Sequence, residues 1–499
     1  MDLTFIQLAS LLPLGVLLVT ALLLLMLEVF SVGLERGWAA VVAVGGLGLA
    51  LYFTVGMISE PPVSLFATTT RPAPVLVDAF SSFASSVMIA GAIVAALLSP
   101  AYVKNAGCNH AEYYALMIFA VVGMMLMAMA GDLFTLFLGL ETMSIAVYVL
   151  TGIRKNDPRA AEAAMKYFLM GAFATGFLLF GIALLYGALG STALPALARA
   201  VKADQVGEPI FALGLILLVI GIGFKIAAVP FHLWAPDVYE GAPTPVTGFM
   251  AVGVKAAAFV GLIRIVVAGM GGDAAASPVL IPALSVLAYL TIIVGNILAV
   301  MQRNVKRMLA YSSISHAGYA LIGVVAVARG EESAGAAVLF YLLAYTFMTL
   351  GAFGVLTYLE RKDGGAEAER FGAYAGMGFR HPALGAAMAL FMIALAGMPP
   401  TGGFFGKLYI FGAALKAGEL GLVVVGIVGS MISIYYYLRV IVAFYMRDVP
   451  DPGPLPLATA SRFATIGLAL SVAAVIYLGV LPSHWIELGR VAIRSLRAG

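Results

Sequence analysis

The sequence predicts an all-α polytopic membrane protein of about 14 transmembrane helices, with two inverted five-helix repeats and with the seventh and twelfth spans broken. Three observations predict it. The 499 residues include only 28 Lys and Arg and 25 Asp and Glu, 11% of the chain, where a soluble protein carries about 25%. Apolar runs of span length follow one another with short joints, at a mean hydropathy of +1.04. Two of those runs are interrupted by proline and glycine.

The same composition excludes several functions. A net charge of +3 is too small to suggest nucleic acid binding. One cysteine, Cys108, cannot build a disulfide framework or hold an iron–sulfur cluster within this chain. No G-x-G-x-x-G follows a strand-like run, and no P-loop is present. No metal site, flavin, haem or other cofactor is therefore expected in this chain.

A membrane helix needs about 20 apolar residues. Such segments lie near 8–30, 38–58, 77–99, 112–130, 132–152, 161–188, 208–230, 244–269, 279–301, 305–328, 333–359, 383–416, 420–446 and 459–481. The first reads as a span and not a signal peptide. It follows Asp2 instead of a basic stretch, and its apolar run is too long. The longest polar joint is 360–381, so a single membrane domain is expected over 1–499. It divides into three N-terminal helices (1–107), a first repeat (108–272), a second, inverted repeat (273–448) and a C-terminal helix with tail (449–499).

Lys and Arg in the joints set orientation. Arg36, Lys104, Arg154, Lys155, Arg159, Arg303, Lys306, Arg307, Arg361, Lys362, Arg370, Arg380, Arg447 and Arg462 fall on one side. Arg71, Lys202, Arg329, Lys416, Arg490, Arg494 and Arg497 fall on the other. The richer side is expected to be cytoplasmic, in a bacterial inner membrane, with both termini periplasmic.

The seventh span runs into Val229-Pro230-Phe231-His232-Leu233-Trp234-Ala235-Pro236, and the twelfth contains Gly397-Met398-Pro399-Pro400-Thr401-Gly402-Gly403. Proline removes a backbone donor and clashes with the preceding turn. Open backbone at membrane depth is tolerated only inside protein or beside a water-filled cavity. Breaks in matching places of two halves point to a transport site. The breaks lie five spans apart, so spans four to eight and nine to thirteen can form two units. An odd unit inverts the second copy. Two unrelated proline kinks are the plainer alternative.

Charge inside a membrane is costly and usually lines a pathway. At about 1.5 Å per residue, Glu141, Lys225, Lys255, His316 and Lys407 all fall in the middle third of the bilayer. Glu141 and His316 sit on the second span of their units, Lys225 and Lys407 on the fourth, a correspondence that unrelated kinks do not explain. Glu162 and Lys166 share one face at i,i+4. Lys166 fits either the pathway or snorkelling to the surface. Glu162 fits either the pathway or a helix start. His232 fits either a relay or a satisfier of open carbonyls. His316 could also be a hydrogen-bonded core histidine. Arg264 and Arg439 read as snorkelling residues, and Tyr435, Tyr436, Tyr437, Trp38 and Trp485 as packing or interfacial aromatics. The chemistry suits protons. Burial favours a neutral amine, a nearby carboxylate restores the ammonium, and histidine passes protons between two nitrogens. A cage of several carboxylate oxygens, as a dedicated sodium or calcium site needs, is missing from the pattern.

These motifs resemble a known family. Gly139-Leu140-Glu141-Thr142-Met143-Ser144 with Tyr148-Val149-Leu150 resembles the fifth helix of the antiporter-like subunits of respiratory complex I. The run from Phe224-Lys225-Ile226 through Val229-Pro230-Phe231-His232-Leu233-Trp234-Ala235-Pro236 to Thr244-Pro245-Val246 is similar to its seventh and eighth helices. Met308-Leu309-Ala310-Tyr311-Ser312-Ser313-Ile314-Ser315-His316-Ala317-Gly318-Tyr319 is similar to the tenth, and Gly397 through Lys407 to the twelfth. Lysine at 407 speaks against subunit M, and the absence of a long lateral helix against subunit L. The resemblance is therefore to the subunit N branch. It implies a proton-translocating subunit of NADH:quinone oxidoreductase, with relay roles on Glu141, Lys166, Lys225, Lys255, His316 and Lys407, and secondary roles on Glu162 and His232. It also implies that NADH, FMN, iron–sulfur clusters and quinone belong to partner subunits, and that subunits M and K are neighbours. A component of a Na⁺/H⁺ antiporter without redox coupling is the alternative.

Overall fold

The computed structural model describes residues 5–30, 37–68, 72–203, 208–270, 279–359, 370–447 and 461–498. Asp2, Arg36, Arg71, Arg361, Lys362 and the expected boundaries at 272–273 and 448–449 lie outside the described residues.

Helices α1 (Phe5–Ser10), α2 (Leu12–Phe30) and α3 (Gly37–Gly56) lead to an antiparallel hairpin of β1 (Val63–Leu65) and β2 (Val75–Val77), in which Val63 pairs with Val77. Then come α4 (Ala79–Asn105), α5 (Ala111–Ala128), α6 (Leu133–Thr151), α7 (Pro158–Leu189) and the short α8 (Leu194–Lys202). The seventh expected span is split into α9 (Pro209–Lys225) and α10 (Trp234–Gly241). The eighth is α11 (Thr244–Phe249) and α12 (Lys255–Arg264), joined by a π-helical turn at Met250–Val254 and extended by a second at Ile265–Gly269. Next are α13 (Leu280–Met301), α14 (Val305–Ala328), α15 (Glu332–Tyr358) and the single turn α16 (Met377–Arg380). The twelfth span is α17 (Pro382–Ala396) and α18 (Gly402–Lys416), followed by α19 (Leu420–Met446), α20 (Arg462–Val480) and α21 (Pro482–Ala498).

Among the described residues, 12 helical segments are long and apolar enough to cross a membrane. The two broken spans supply the shorter apolar helices Pro209–Lys225 and Pro382–Ala396. The chain is thus an all-α, multi-pass membrane protein, and only helices let such apolar runs satisfy their own backbone in lipid. Hydropathy missed the hairpin, α8 and the π turns. The strands are three residues long, α8 is amphipathic, and an α and a π turn bury the same apolar residues.

Capping residues start the helices where the joints end. Asp78 accepts from Ser81 N at 2.7 Å and closes a capping box on α4. Asp132 caps α6 through Thr135 N at 2.6 Å, Asp157 caps α7 beside Pro158, and Asn304 caps α14 through Arg307 N. Small residues let helices touch. A Cβ on Gly123 of α5 would stand 2.4 Å from Met143 N of α6, the close approach typical of membrane interfaces. The α11–α12 segment, α14 and α15 are buried almost throughout, while α2, α3, α7, α19 and α20 present much of their surface outward. The centre of the molecule is therefore where charge is most costly.

Candidate functional site

The first break leaves α9 ending on Lys225. The open backbone that follows is satisfied from elsewhere: Val229 N donates to Thr291 Oγ1 of α13 at 3.0 Å, and Trp234 Nε1 to Phe224 O at 3.1 Å. Val229–Pro230 and Pro399–Pro400 are cis. Lys225 is 1% exposed. Its ammonium donates to Ser144 Oγ at 2.8 Å and Tyr148 OH at 2.9 Å, both on α6. Tyr148 reaches this position because Gly171 of α7 has no side chain. A Cβ there would stand 2.0 Å from the hydroxyl.

Glu141, Ser144 and Tyr148 share one face of α6 at i, i+3 and i+7. Lys225 takes Ser144 and Tyr148 and makes no ion pair with Glu141 in this structure. Glu141 Oε1 is buried without a hydrogen-bond partner among the described residues. A row of polar oxygens along one helix face decides which of them the lysine reaches, and mid-membrane depth alone could not.

In the centre, Lys255 follows the first π turn, and its ammonium donates to Ser313 O and Ser313 Oγ of α14, each at 2.5 Å. His316 lies one turn further along α14. Its Nδ1 pairs with Tyr341 OH of α15 at 2.6 Å and its Nε2 with Tyr437 OH of α19 at 2.9 Å. Tyr437 OH also bonds Ser312 Oγ. The expectation that Tyr436 and Tyr437 are packing aromatics is corrected here. Both are fully buried, and Tyr436 OH donates to Asn296 Oδ1 at 3.0 Å. A tyrosine run on an apolar helix looks the same from sequence whichever way its hydroxyls point. Tyr435 is exposed, as expected.

At the second break, Gly397 caps α17 with φ 82°. Lys407 sits on α18, yet its ammonium reaches back to the free carbonyls of α17, Leu395 O at 3.1 Å and Ala396 O at 2.9 Å, and to Ser430 Oγ of α19 at 2.8 Å. A cation is favoured at a helix C-terminus. Lys225 is itself the last residue of its half-helix, so both breaks present a lysine at a half-helix end. The Lys407 ammonium also lies 5.0 Å from the Tyr319 ring centroid.

Lys166 and Glu162 stand apart from this row. Lys166 pairs with Glu162 at 2.6 Å and with Asp237 of α10 at 3.0 Å, with its side chain 42% exposed. Arg307 completes the cluster on Asp237 at 2.6 Å and Glu240 at 2.7 Å. Sequence reading did not single out Asp237, Glu240 and Arg307, because Asp237 and Glu240 fall between the expected spans and Arg307 in the first turn of one, where charge needs no explanation. His232 is buried in the first break, and its Nδ1 has no partner among the described residues.

Two arginines behave differently from the snorkelling expectation. Arg264 is fully buried and donates from one amino group to both Asp78 oxygens at 2.8 Å. Its partner is 186 residues away, at the start of α4. Arg439 caps α13, donating to Val300 O at 2.7 Å and Gln302 O at 2.9 Å. Elsewhere Glu28, His110 and Glu112 bring ligand-capable atoms within 4.8 Å of one another. Glu28 accepts from Ala111 N at 3.0 Å and pairs with His110 at 3.5 Å, so the group caps α5.

A helical bundle that buries lysines beside two broken helices has the build of an antiporter-like membrane subunit. The family described as NADH:quinone oxidoreductase/Mrp antiporter, transmembrane region, matches residues 130–433. The chain is 46% identical to NADH-quinone oxidoreductase subunit N 1 of Sorangium cellulosum, over 91% of this chain and 90% of that protein. It is 43% identical to NADH-quinone oxidoreductase subunit N of Myxococcus xanthus, over 97% and 98%. Its fold is similar to a chain of respiratory complex I from Thermus thermophilus with bound Aureothin, with a TM-score of 0.78 and 34% identity over 95% of this chain and 98% of that one. The chain belongs to the NADH-quinone oxidoreductase subunit N family.

Proposed function

We propose that this chain is the proton-translocating membrane subunit of an NADH-quinone oxidoreductase, moving protons along its buried row while redox chemistry in partner subunits supplies the energy. One observation carries the reading. Lys225, Lys255 and Lys407 are buried, and among the described residues their ammonium groups donate to neutral hydroxyls and carbonyls only. An ammonium locked to a carboxylate keeps its proton. One held by neutral oxygens in low dielectric releases it when another cation approaches or a counter-charge withdraws. Glu141 is that movable counter-charge for Lys225. His316 connects the centre to Lys407, and Lys166 with Glu162 and Asp237 forms a hydrated approach to the row. His232 serves the first break in a secondary role.

The reading includes 14 spans, counted as the 12 long helices and the two broken ones. Spans four to eight form one unit and nine to thirteen its inverted copy, within the divisions 1–107, 108–272, 273–448 and 449–499 given above. A structure of the assembled complex in which the two units fail to superpose after inversion removes the repeat. The partners are other subunits of the complex, with an antiporter-like subunit M and a small subunit K beside this chain. They carry the NADH, FMN, iron–sulfur clusters and quinone. The membrane is the bacterial inner membrane, with both termini periplasmic. A cysteine placed at Lys155 in a Cys108→Ser background is expected to react with an impermeant thiol reagent from the cytoplasmic face alone.

The family also spans antiporter components, but the relatives above are NADH-quinone oxidoreductase subunits, which favours the redox-driven reading. Purification in mild detergent is expected to bring NADH-oxidising subunits with this chain, and NADH is expected to acidify one side of reconstituted vesicles. Recovery with antiporter subunits alone, together with sodium-driven proton exchange, would sink it.

Glu141 and Lys225 are expected to act as one switch. Groups in one network give non-additive losses, so Glu141→Gln with Lys225→Ala should impair pumping little more than the worse single change. Fully multiplicative losses in pumping rate would place them on independent routes.

A further inference from the structure

We infer that Tyr341 and Tyr437 are relay groups in their own right, and that His316 passes the proton between their hydroxyls as a neutral imidazole. The inference rests on the translocation reading above and adds two residues and a chemical mode to it.

Both ring nitrogens of His316 are engaged by tyrosine hydroxyls, Tyr341 at 2.6 Å on Nδ1 and Tyr437 at 2.9 Å on Nε2. The three groups come from α14, α15 and α19 and are each at most 2% exposed. Among the described residues no carboxylate contacts the ring. A neutral imidazole offers one donor and one acceptor, so one tyrosine donates to it while the other accepts. A phenol hydroxyl can do both. An imidazolium would need two acceptors and would add charge to a space already flanked by the Lys255 and Lys407 ammonium groups. The clamp therefore suits the neutral ring.

One end reaches the residue next to the Lys255 acceptor, and the other packs on the turn of α18 that carries Lys407. Ser312, which bonds Tyr437, is adjacent to Ser313, the acceptor of Lys255. Tyr341 lies against Gly406, the residue next to Lys407. A Cβ at Gly406 would stand 2.8 Å from the Tyr341 ring. The step balances without any redox change. A proton arriving at Ser312 Oγ lets that hydroxyl give its own proton to Tyr437. Tyr437 gives its proton to Nε2, Nδ1 gives its proton to Tyr341, and Tyr341 releases one to Lys407 once that side chain has passed its own proton on and stands as a neutral amine. Each O–H or N–H bond that breaks is replaced by one formed on the same group. The chain is left with reversed polarity, and it resets by rotation of the hydroxyls with return of the imidazole to its first tautomer.

The test uses the intact complex in vesicles and measures NADH-driven proton pumping. Tyr437→Phe and Tyr341→Phe each keep the ring and remove the hydroxyl. Each is expected to lower the coupled rate at least about tenfold, below the usual range for a positioned proton-transfer group because water can partly replace a hydroxyl. Tyr113→Phe removes another buried hydroxyl, one that bonds Ser99, which is not a member of the row, at 2.8 Å, and is expected to pump normally. Should one variant fail to assemble, the other decides, and Ser312→Ala offers a smaller change at the far end of the clamp. Normal pumping in the assembled phenylalanine variants, with pumping lost in Lys407→Ala, overturns this inference and leaves the translocation reading intact. Normal pumping in Lys407→Ala as well overturns both.

Discussion

Lys407→Ala is expected to lower NADH-driven proton pumping by about 100-fold, the scale of one positioned proton-transfer group, while the complex still assembles. The ammonium bonds the α17 carbonyls and Ser430 together, and the next basic residue on α18, Lys416, is nine positions away. Assembly survives because the carbonyls and Ser430 that it leaves can bond water. Lys225→Ala is expected to behave alike, freeing Ser144 and Tyr148. Lys225→Arg is the sharper variant. Guanidinium keeps the positive charge but effectively cannot release its proton, so pumping should fall although the charge remains. Pumping rates in vesicles, set beside the yield of purified complex, check all three. Wild-type rates in assembled variants would remove the relay from the buried row.

Arg264→Ala is expected to have the largest effect on stability. It strands the Asp78 carboxylate in the interior, where that carboxylate also starts α4 by accepting from Ser81 N. Removing one partner of a buried ion pair costs about 3–5 kcal/mol. The complex should show a markedly lower Tm in detergent and a reduced yield. Arg264→Lys should restore only part of this, since a compact, strongly hydrated ammonium replaces a delocalised guanidinium that also lies 5.2 Å from the Phe80 ring centroid. Replacing both partners, Asp78→Asn with Arg264→Met, should recover much of the loss, because no unpaired charge then remains buried. A snorkelling arginine would predict almost no change in Tm for any of these. An unchanged thermal transition for Arg264→Ala would therefore return Arg264 to that role.

The span positions were legible in the residues alone. The run read at 244–269 and the helical segment Thr244–Gly269 coincide, and 305–328 is the helix Val305–Ala328. Hydropathy reads transfer from water to lipid residue by residue, so local sequence determines where a helix lies in the bilayer. Proline and glycine likewise marked both breaks, because they act on the backbone within one turn. Lys225, Lys255, His316 and Lys407 were legible as buried groups for the same reason: a charge deep in an apolar run is anomalous wherever the helix packs.

Their partners were not legible. Lys225 meets Ser144 81 residues earlier, Tyr437 meets His316 121 residues earlier, and Asp78 meets Arg264 across 186 residues. Depth estimates placed Glu141 level with Lys225, yet helix rotation turned Ser144 and Tyr148 toward the lysine. Lys166 read first as a member of the row, with the surface as its alternative, and Asp237 with Arg307 holds it in a half-exposed ion cluster. Sequence by itself determined which runs are long and apolar enough to cross a membrane and where the helices break, since those follow from short-range transfer energies and backbone sterics. Only the tertiary structure decided which oxygen each ammonium faces, because that depends on helix rotation and packing among segments far apart in the chain.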